Sequence, residues 1–113
     1  MSAFYQCNSL KNLIFSNNLT QIGHRAFKEC ENLVTVELPD SVTYIGEEVF
    51  ARCSKLVSCR LPNNPTLTEL EYGTFYFCFS LKSIEIPDYI EIIGNSCFAK
   101  LISSSTLFSS VIV

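Results

Sequence analysis

The side chains with the most evident chemistry in this 113-residue sequence are six cysteines and one histidine. Six cysteines in a short chain could pair as three disulfides, and cysteine with histidine is a ligand set that zinc favours. The sequence contains no C-x-x-C pair, however, and four cysteines hold one position of a regular repeat: Cys7, Cys30, Cys53 and Cys78. We therefore expect free thiols packed in the interior, where cysteine behaves as a small hydrophobic residue.

The direction of the cysteine side chains also argues against disulfides. Equivalent residues on neighbouring parallel strands lie about 4.8 Å apart and project the same way, whereas a disulfide prefers a Cβ–Cβ separation of about 3.8 Å. Cys59 and Cys97 stand at inward positions that hold aliphatic or small residues in other units. A disulfide network stays open as the alternative.

His24 occupies a turn position where the other units carry Glu47, Tyr72 and Asn95. A catalytic histidine needs a nucleophile or a carboxylate beside it, and no such pair can be placed around this turn. The sequence also lacks a glycine-rich phosphate-binding loop. We therefore expect a solvated histidine, no enzymatic activity and no cofactor.

The elements that position these residues belong to a repeated unit that starts at Phe4, Phe27, Phe50, Phe75 and Phe98, with spacings of 23, 23, 25 and 23 residues. In each of the first four units a leucine is followed three and five residues later by further apolar residues, and this alternation predicts a short strand. A second apolar pair predicts another short strand. A period of this length is typical of a solenoid, in which each unit stacks on its copies.

The turn after the second strand carries Gly23, Gly46 or Gly94, where we expect a positive φ. The third unit has Glu71 at this position and two extra residues in its outer loop, so we expect that loop to bulge. The following segments are too short for a free helix and predict at most one helical or 3₁₀ turn. The array spans residues 4–100, and we expect residues 101–113 to form a degenerate strand or a frayed end.

Composition excludes several classes of partner. Hydrophobic residues are 48% of the chain and charged residues 17%, which predicts a folded protein. The net charge is only −3 and the basic residues are scattered, so we expect no nucleic-acid binding. No apolar run is long enough for a membrane span, and no signal peptide is visible. Exposed sheet edges at the ends of such an array would favour end-to-end self-association.

The residues that alternate with the inward ones form the candidate binding face, because the stacked strands of a solenoid make an extended concave surface. These residues are Asn12, Ile14, Thr35, Glu37, Ser58, Arg60, Ser83 and Glu85. A solvated ladder is the alternative interpretation. Arg60 stands between Glu37 and Glu85 on neighbouring strands, and such cross-strand pairs support a sheet without any ligand.

The motifs C-x-x-L-x-x-I-x-I-P, V-x-x-I-G and A-F-x-x-C resemble the BspA-like leucine-rich repeats from Phe4 to Lys100. The resemblance implies a right-handed leucine-rich-repeat solenoid of about four 23-residue coils, with a parallel concave sheet and a second short strand per coil. It further implies a protein-binding module, adhesive or ligand-binding, derived from a cell-surface antigen of the kind found in bacteria and parasitic protists.

Two questions stay open at this point. The alternative function is a structural fragment or intracellular scaffold of a longer repeat protein, with no ligand of its own. The resemblance implies a cell-surface or extracellular location, whereas the missing signal peptide leaves a cytoplasmic one open. Asn18-Leu19-Thr20 fits the N-glycosylation pattern, which has meaning only for an exported chain.

Overall fold

A computed structural model describes residues 11–82 and 84–98 of the chain, and this part contains seven short strands and no helix. The strands are β1 (Asn12–Ile14), β2 (Gln21–Ile22), β3 (Thr35–Glu37), β4 (Tyr44–Ile45), β5 (Ser58–Arg60), β6 (Glu69–Leu70) and β7 (Ile92–Ile93). All strand pairs are parallel, as the repeat predicts. No helix in this part is long and apolar enough to cross a membrane.

The first sheet has the order β1-β3-β5 and pairs each strand with its copy one unit later. Leu13 lies opposite Val36, and Val36 lies opposite Cys59. Val36 and Cys59 are buried, while their outward neighbours Glu37 and Arg60 are exposed. The strand prediction and its inward–outward alternation are therefore confirmed for these three units.

The second strands form two separate two-stranded sheets, β2-β4 and β6-β7. The discontinuity falls between β4 and β6, in the unit that has the longer outer loop and Glu71 in place of glycine. We attribute the interruption to the two extra residues before β6 and to the side chain of Glu71, because glycine allows backbones to approach closely at Gly46 and Gly94. The bulge expected in the outer loop of the third unit stays a prediction.

The interior is a series of columns in which like residues stack on like. The rings of Phe27, Phe50, Phe75 and Phe98 lie nearly parallel, with successive centroids 5.8, 5.8 and 5.6 Å apart. Phe15 packs edge-on against Phe27. The leucines that open each strand segment are fully or almost fully buried: Leu33, Leu56 and Leu81. Burial of these apolar columns is the main favourable term in the stability of the array.

The segments that carry the stacked phenylalanines make hydrogen bonds in two directions. The N–H groups of Arg25, Phe27 and Glu29 donate to carbonyl oxygens of the next unit, at 2.9, 3.0 and 2.8 Å. Between them, Ala26 and Lys28 donate to carbonyl oxygens three residues earlier in their own unit. The same alternation recurs one unit later. Neighbouring units are thus joined by backbone hydrogen bonds through the turn as well as through the sheets.

The predicted helical or 3₁₀ turns are not found in the described residues. Two positions of each segment have positive φ, which no right-handed helix accommodates. The first holds Arg25, Glu48, Gly73 and Ser96, and the second holds Glu29, Arg52 and Phe77. The N–H groups of the positive-φ residues from Arg25 to Gly73, and of the phenylalanine in each of these segments, donate to carbonyl oxygens of the next unit. Contact between units therefore sets this conformation in place of a helical turn.

The prediction of positive φ at Gly23, Gly46 and Gly94 is wrong, because in the described residues the glycine with positive φ is Gly73, at 66°. Gly46 and Gly94 are needed for close packing of backbones. A Cβ atom on Gly46 would lie 2.8 Å from the backbone nitrogen of His24, and one on Gly94 would lie 2.7 Å from that of Tyr72. Real Cβ atoms do not approach backbone atoms so closely.

Candidate functional site

The structure places the described members of the candidate face side by side on the exposed side of the first sheet. Asn12 lies opposite Thr35, and Ile14 lies opposite Glu37. The hydroxyl of Thr35 donates a hydrogen bond to Oδ1 of Asn12. Ile14 is 86% exposed, which is unusual for an isoleucine among polar neighbours. Ser83 lies outside the described residues.

A groove of roughly 1120 Å³ runs along this face across three successive units. It brings together Thr35, Glu37, Ser58, Arg60 and Glu85 of the predicted face. The other two described residues of the predicted face are Asn12 and Ile14. They lie on the neighbouring strand β1 and do not line the groove. We call the surface made by all these residues the sheet face.

Arg60 does not form the predicted cross-strand pair with Glu37 or Glu85. Its Nη1 atom lies 3.2 Å from Oδ1 of Asp40 and donates to the carbonyl oxygen of Leu38 at 3.1 Å. The guanidinium therefore reaches the residue that follows the proline of the preceding unit, where a carboxylate and a carbonyl group are both within hydrogen-bond distance. Within the described residues, Glu37 and Glu85 are exposed and have no ion-pair partner.

Asp40 links the sheet face to the extended loop of the third unit. Its carboxylate accepts a hydrogen bond from the backbone N–H of Asn63 at 2.8 Å, and its carbonyl oxygen accepts one from Nδ2 of Asn64 at 2.9 Å. The hydrogen bond from Asn63, followed by that from Arg60, lowers the pKa of Asp40 below its ordinary value. Asp40 and Arg60 are both about half exposed, so the pair contributes little to stability.

The groove also contains residues that the strand pattern misses. Asn63, Asp88 and Tyr89 line it, and the hydroxyl of Tyr89 donates to the carbonyl oxygen of Pro62 while accepting from the N–H of Asn64. A sequence signal for this end of the groove exists. Asp40, Asn63 and Asp88 each follow a proline directly, and Pro-Asp or Pro-Asn is a common turn dipeptide.

The five described cysteines are free and buried: Cys30, Cys53, Cys59, Cys78 and Cys97. This confirms the prediction of packed thiols for these residues, while Cys7 lies outside the described part. Burial raises the pKa of the Cys53 and Cys97 thiols to about 12. In the part of the chain that the structure describes, no group of three or more histidine, cysteine or acidic residues could hold a metal ion.

Two of these thiols donate hydrogen bonds between units. Sγ of Cys53 donates to the carbonyl oxygen of Phe27 at 3.2 Å, and Sγ of Cys78 donates to that of Phe50 at 3.0 Å. Each carbonyl group stands beside the phenylalanine column. Each carbonyl oxygen also accepts a backbone N–H, from Cys30 or Cys53, so the thiol supplies a second hydrogen bond that a purely aliphatic residue could not donate.

His24 is exposed and supports the turn of the next unit. Its Nδ1 atom accepts a hydrogen bond from the N–H of Glu47 at 2.8 Å, and its ring lies edge-on to that of Tyr44. This contact gives the exposed histidine a structural role in the turn. Asn18 is exposed in a turn of the first unit, and its glycosylation stays a prediction. The predicted end-to-end association concerns residues 1–10 and 99–113, outside the described part.

A protein-family comparison and solved structures agree on the class of this repeat. The family model for the BspA type leucine rich repeat region matches residues 1–111, in six copies. The chain is similar to a leucine-rich-repeat protein of T. pallidum, with 36% identity and a TM-score of 0.75 over 81% of this chain and 42% of that one. A comparison with curated proteins found no match.

Two further structures are similar, one from Faecalibacterium prausnitzii A2-165 and one from Bacteroides ovatus ATCC 8483. The first is a leucine-rich cell surface protein, 35% identical with a TM-score of 0.75 over 81% of this chain and 24% of that one. The second is a leucine-rich-repeat protein, 29% identical with a TM-score of 0.61 over 86% and 30%.

The chain spans less than half the length of each of these three structures. The family match, in contrast, covers nearly all of the present sequence. The parallel strands, the stacked phenylalanines and the interior thiols are the structural counterparts of its repeated motif. The chain belongs to the BspA-type leucine-rich-repeat family.

Proposed function

We propose that this chain is a protein-binding module of a cell-surface leucine-rich-repeat protein, and that the sheet face is its binding surface. In this proposal the units form a right-handed solenoid of about four coils, with the sheet face on the concave side. The surface location is drawn from the similarity to the F. prausnitzii cell surface protein. The role that we propose for a module at this location is adhesion to an extracellular protein.

One observation carries the proposal: the groove presents charged groups that the fold itself does not use. Glu37 and Glu85 line it and have no ion-pair partner in the described residues, whereas Arg60 is held by Asp40 and Leu38. Exposed charges set in a fixed frame favour specific recognition of a complementary surface and speed its association. Ile14 adds an exposed apolar group at the next strand.

The test is a binding measurement with a panel of purified extracellular-matrix proteins by surface plasmon resonance. We compare the wild type with a variant carrying Glu37→Ala, Arg60→Ala and Glu85→Ala. At least a tenfold loss of affinity, or about 1.4 kcal/mol, with an unchanged circular dichroism spectrum is expected. Glu91→Ala is the matched control, since removing two acidic groups and one basic group changes the net charge by +1, as removing one acidic group does.

An unchanged affinity of the triple variant would exclude the sheet face. If the wild type binds no member of the panel, the adhesive function fails and the alternative gains support: a structural part of a longer repeat protein without a ligand of its own. Labelling intact cells with a membrane-impermeant reagent tests the location separately.

A further inference from the structure

The unit that begins at Phe75 carries three aromatic residues that the repeat does not require. Its sequence over residues 75–79 is F-Y-F-C-F, where the two preceding units have F-K-E-C-E and F-A-R-C-S. Phe75 and Cys78 are the buried repeat positions. Tyr76, Phe77 and Phe79 therefore replace charged or small residues, and none of the three belongs to the hydrophobic core.

These three rings form a cluster on the surface. Phe77 packs edge-on against Tyr76 and Phe79, with ring centroids 4.4 and 5.2 Å apart. The guanidinium carbon of Arg52 lies 4.4 Å from the centroid of Phe77, in cation–π contact. Phe79 is 40% exposed. Clusters of aromatic residues with arginine are the composition typical of binding hot spots.

The turn of the repeat places this cluster beside two carboxylates. Glu29, Arg52 and Phe77 are equivalent residues of successive units, and all three have positive φ, so the same backbone conformation presents each of them. Glu31, Ser54 and Phe79 form the neighbouring set. A depression of about 260 Å³ lies among these six residues, and it shares no lining residue with the groove of the sheet face.

The size and charge of the depression indicate which kind of ligand fits it. Its volume is below the roughly 300–1,000 Å³ of small-molecule sites and suits a single side chain. Glu31 contributes an exposed carboxylate to its lining, and two phenylalanine rings form its apolar wall. A long apolar stem that ends in a positive charge matches this combination, because the stem packs on the rings while the cation approaches Glu31.

We propose that this depression is a second docking site, distinct from the sheet face, and that it takes a lysine or arginine side chain from an extended segment of a partner protein. The net charge of −3 on the chain favours the approach of a basic partner. Phe79 supplies the exposed ring, Phe77 and Arg52 hold it in place, and Glu31 is the exposed carboxylate at the opposite wall.

The test uses two small probes, N-acetyl-arginine methylamide and its uncharged counterpart N-acetyl-norleucine methylamide, in a ¹⁵N–¹H correlation titration of the whole chain. The arginine probe should produce saturable shifts at Arg52, Ser54, Phe77 and Phe79 in the millimolar range. Glu31→Gln should weaken this binding at least threefold, and Phe79→Ala should abolish it. Tyr72→Ala, an exposed aromatic residue outside the depression, is the matched control and should change nothing.

Absence of saturable shifts in the wild type would overturn the proposal, as would equal binding of the norleucine probe. Shifts confined to the sheet face would show that the probe binds there and not in the depression, and would also overturn the proposal. Concentration-dependent shifts without any probe, lost in Phe79→Ala, would identify the patch as a contact between copies of the chain instead. Both variants replace side chains at the surface, and their spectra report directly whether the fold is retained.

Discussion

The ring of Phe50 lies parallel to that of Phe27 in the preceding unit, with an interplanar angle of 8° and centroids 5.8 Å apart. On its other side Phe75 stacks at the same distance. Phe50 is fully buried and is the shared member of both contacts. Because each unit buries its apolar face only against its neighbours, a gap at Phe50 weakens two interfaces at once.

Phe50→Ala should therefore be strongly destabilising. We expect a loss of about 3–5 kcal/mol in the free energy of unfolding, from lost burial and from the cavity left in the column. That is a large share of the roughly 5–15 kcal/mol that holds an ordinary domain together. Urea denaturation followed by circular dichroism measures it. The control Tyr72→Ala removes an aromatic residue that is 44% exposed and should cost about 1 kcal/mol or less.

The buried thiols should be inert in the native protein. Burial raises the pKa of Cys53 and Cys97 to about 12, so at pH 8 these groups are protonated, and the thiolate is the reactive form. A thiol-reactive dye should leave the five described cysteines unmodified within minutes. In denaturant without reductant it should count six groups per chain. Prompt reaction of the folded protein, or a denatured count near zero, would contradict the packed-thiol interpretation.

Gly46→Ala should destabilise the array although Gly46 does not have a positive φ. The added methyl group would lie 2.7 Å from Nδ1 of His24 and 2.8 Å from its backbone nitrogen, so the neighbouring unit must shift. We expect a cost of about 1–3 kcal/mol in thermal or urea unfolding. Ser96→Gly, in the equivalent turn of a later unit, relieves a φ of 59° and should be neutral or slightly stabilising. An unchanged stability of Gly46→Ala would rule out the clash.

Glu71 should make stability depend on pH. Burial, and then the nearby carboxylates of Glu69 and Glu47, raise the pKa of Glu71 above its ordinary value of 4.5. Between that value and the raised pKa the folded state holds a proton that the unfolded state has released, so stability falls as pH rises through this window. Glu71→Gln should then add up to about 0.5 kcal/mol at pH 7.

The measurement for Glu71 is the melting temperature of the wild type and of Glu71→Gln at pH 7 and pH 4. The difference between them should shrink at the lower pH, where the carboxyl group is protonated in both states. Glu91→Gln, a change at an exposed carboxylate, is the control. A gain that is the same at both pH values would show that charge at position 71 is not its cause.

Much of the fold could be predicted from the repeat because neighbouring units supply each other's environment. The alternation around Val36 and Cys59 predicted inward and outward sides, and the structure confirms it. The predicted stacking of units on their copies places Phe27, Phe50 and Phe75 in one column, because residues at the same position of each unit then lie over one another. These results need only the period and the hydrophobicity of the side chains.

The candidate site was less predictable. The strand pattern located Glu37, Arg60 and Glu85, yet it assigned Arg60 to the wrong carboxylate. The choice of Asp40 depends on how the chain turns after Pro39 and on where the longer loop of the next unit returns. Neither the turn geometry nor the loop path is encoded in side-chain periodicity. For the same reason the strand pattern did not include Asn63 and Tyr89, which line the groove in the structure.

The sequence by itself thus determined the period of the array and the residues that face inward, and it favoured packed thiols over disulfides, since each follows from which side chains avoid water. Only the tertiary structure decided why Gly46 is a glycine, why the second sheet is interrupted before β6, and which carboxylate holds Arg60. These outcomes depend on distances of a few ångströms between backbones of neighbouring units. Hydrophobic burial depends little on such distances, whereas steric contact and hydrogen bonding depend on them strongly.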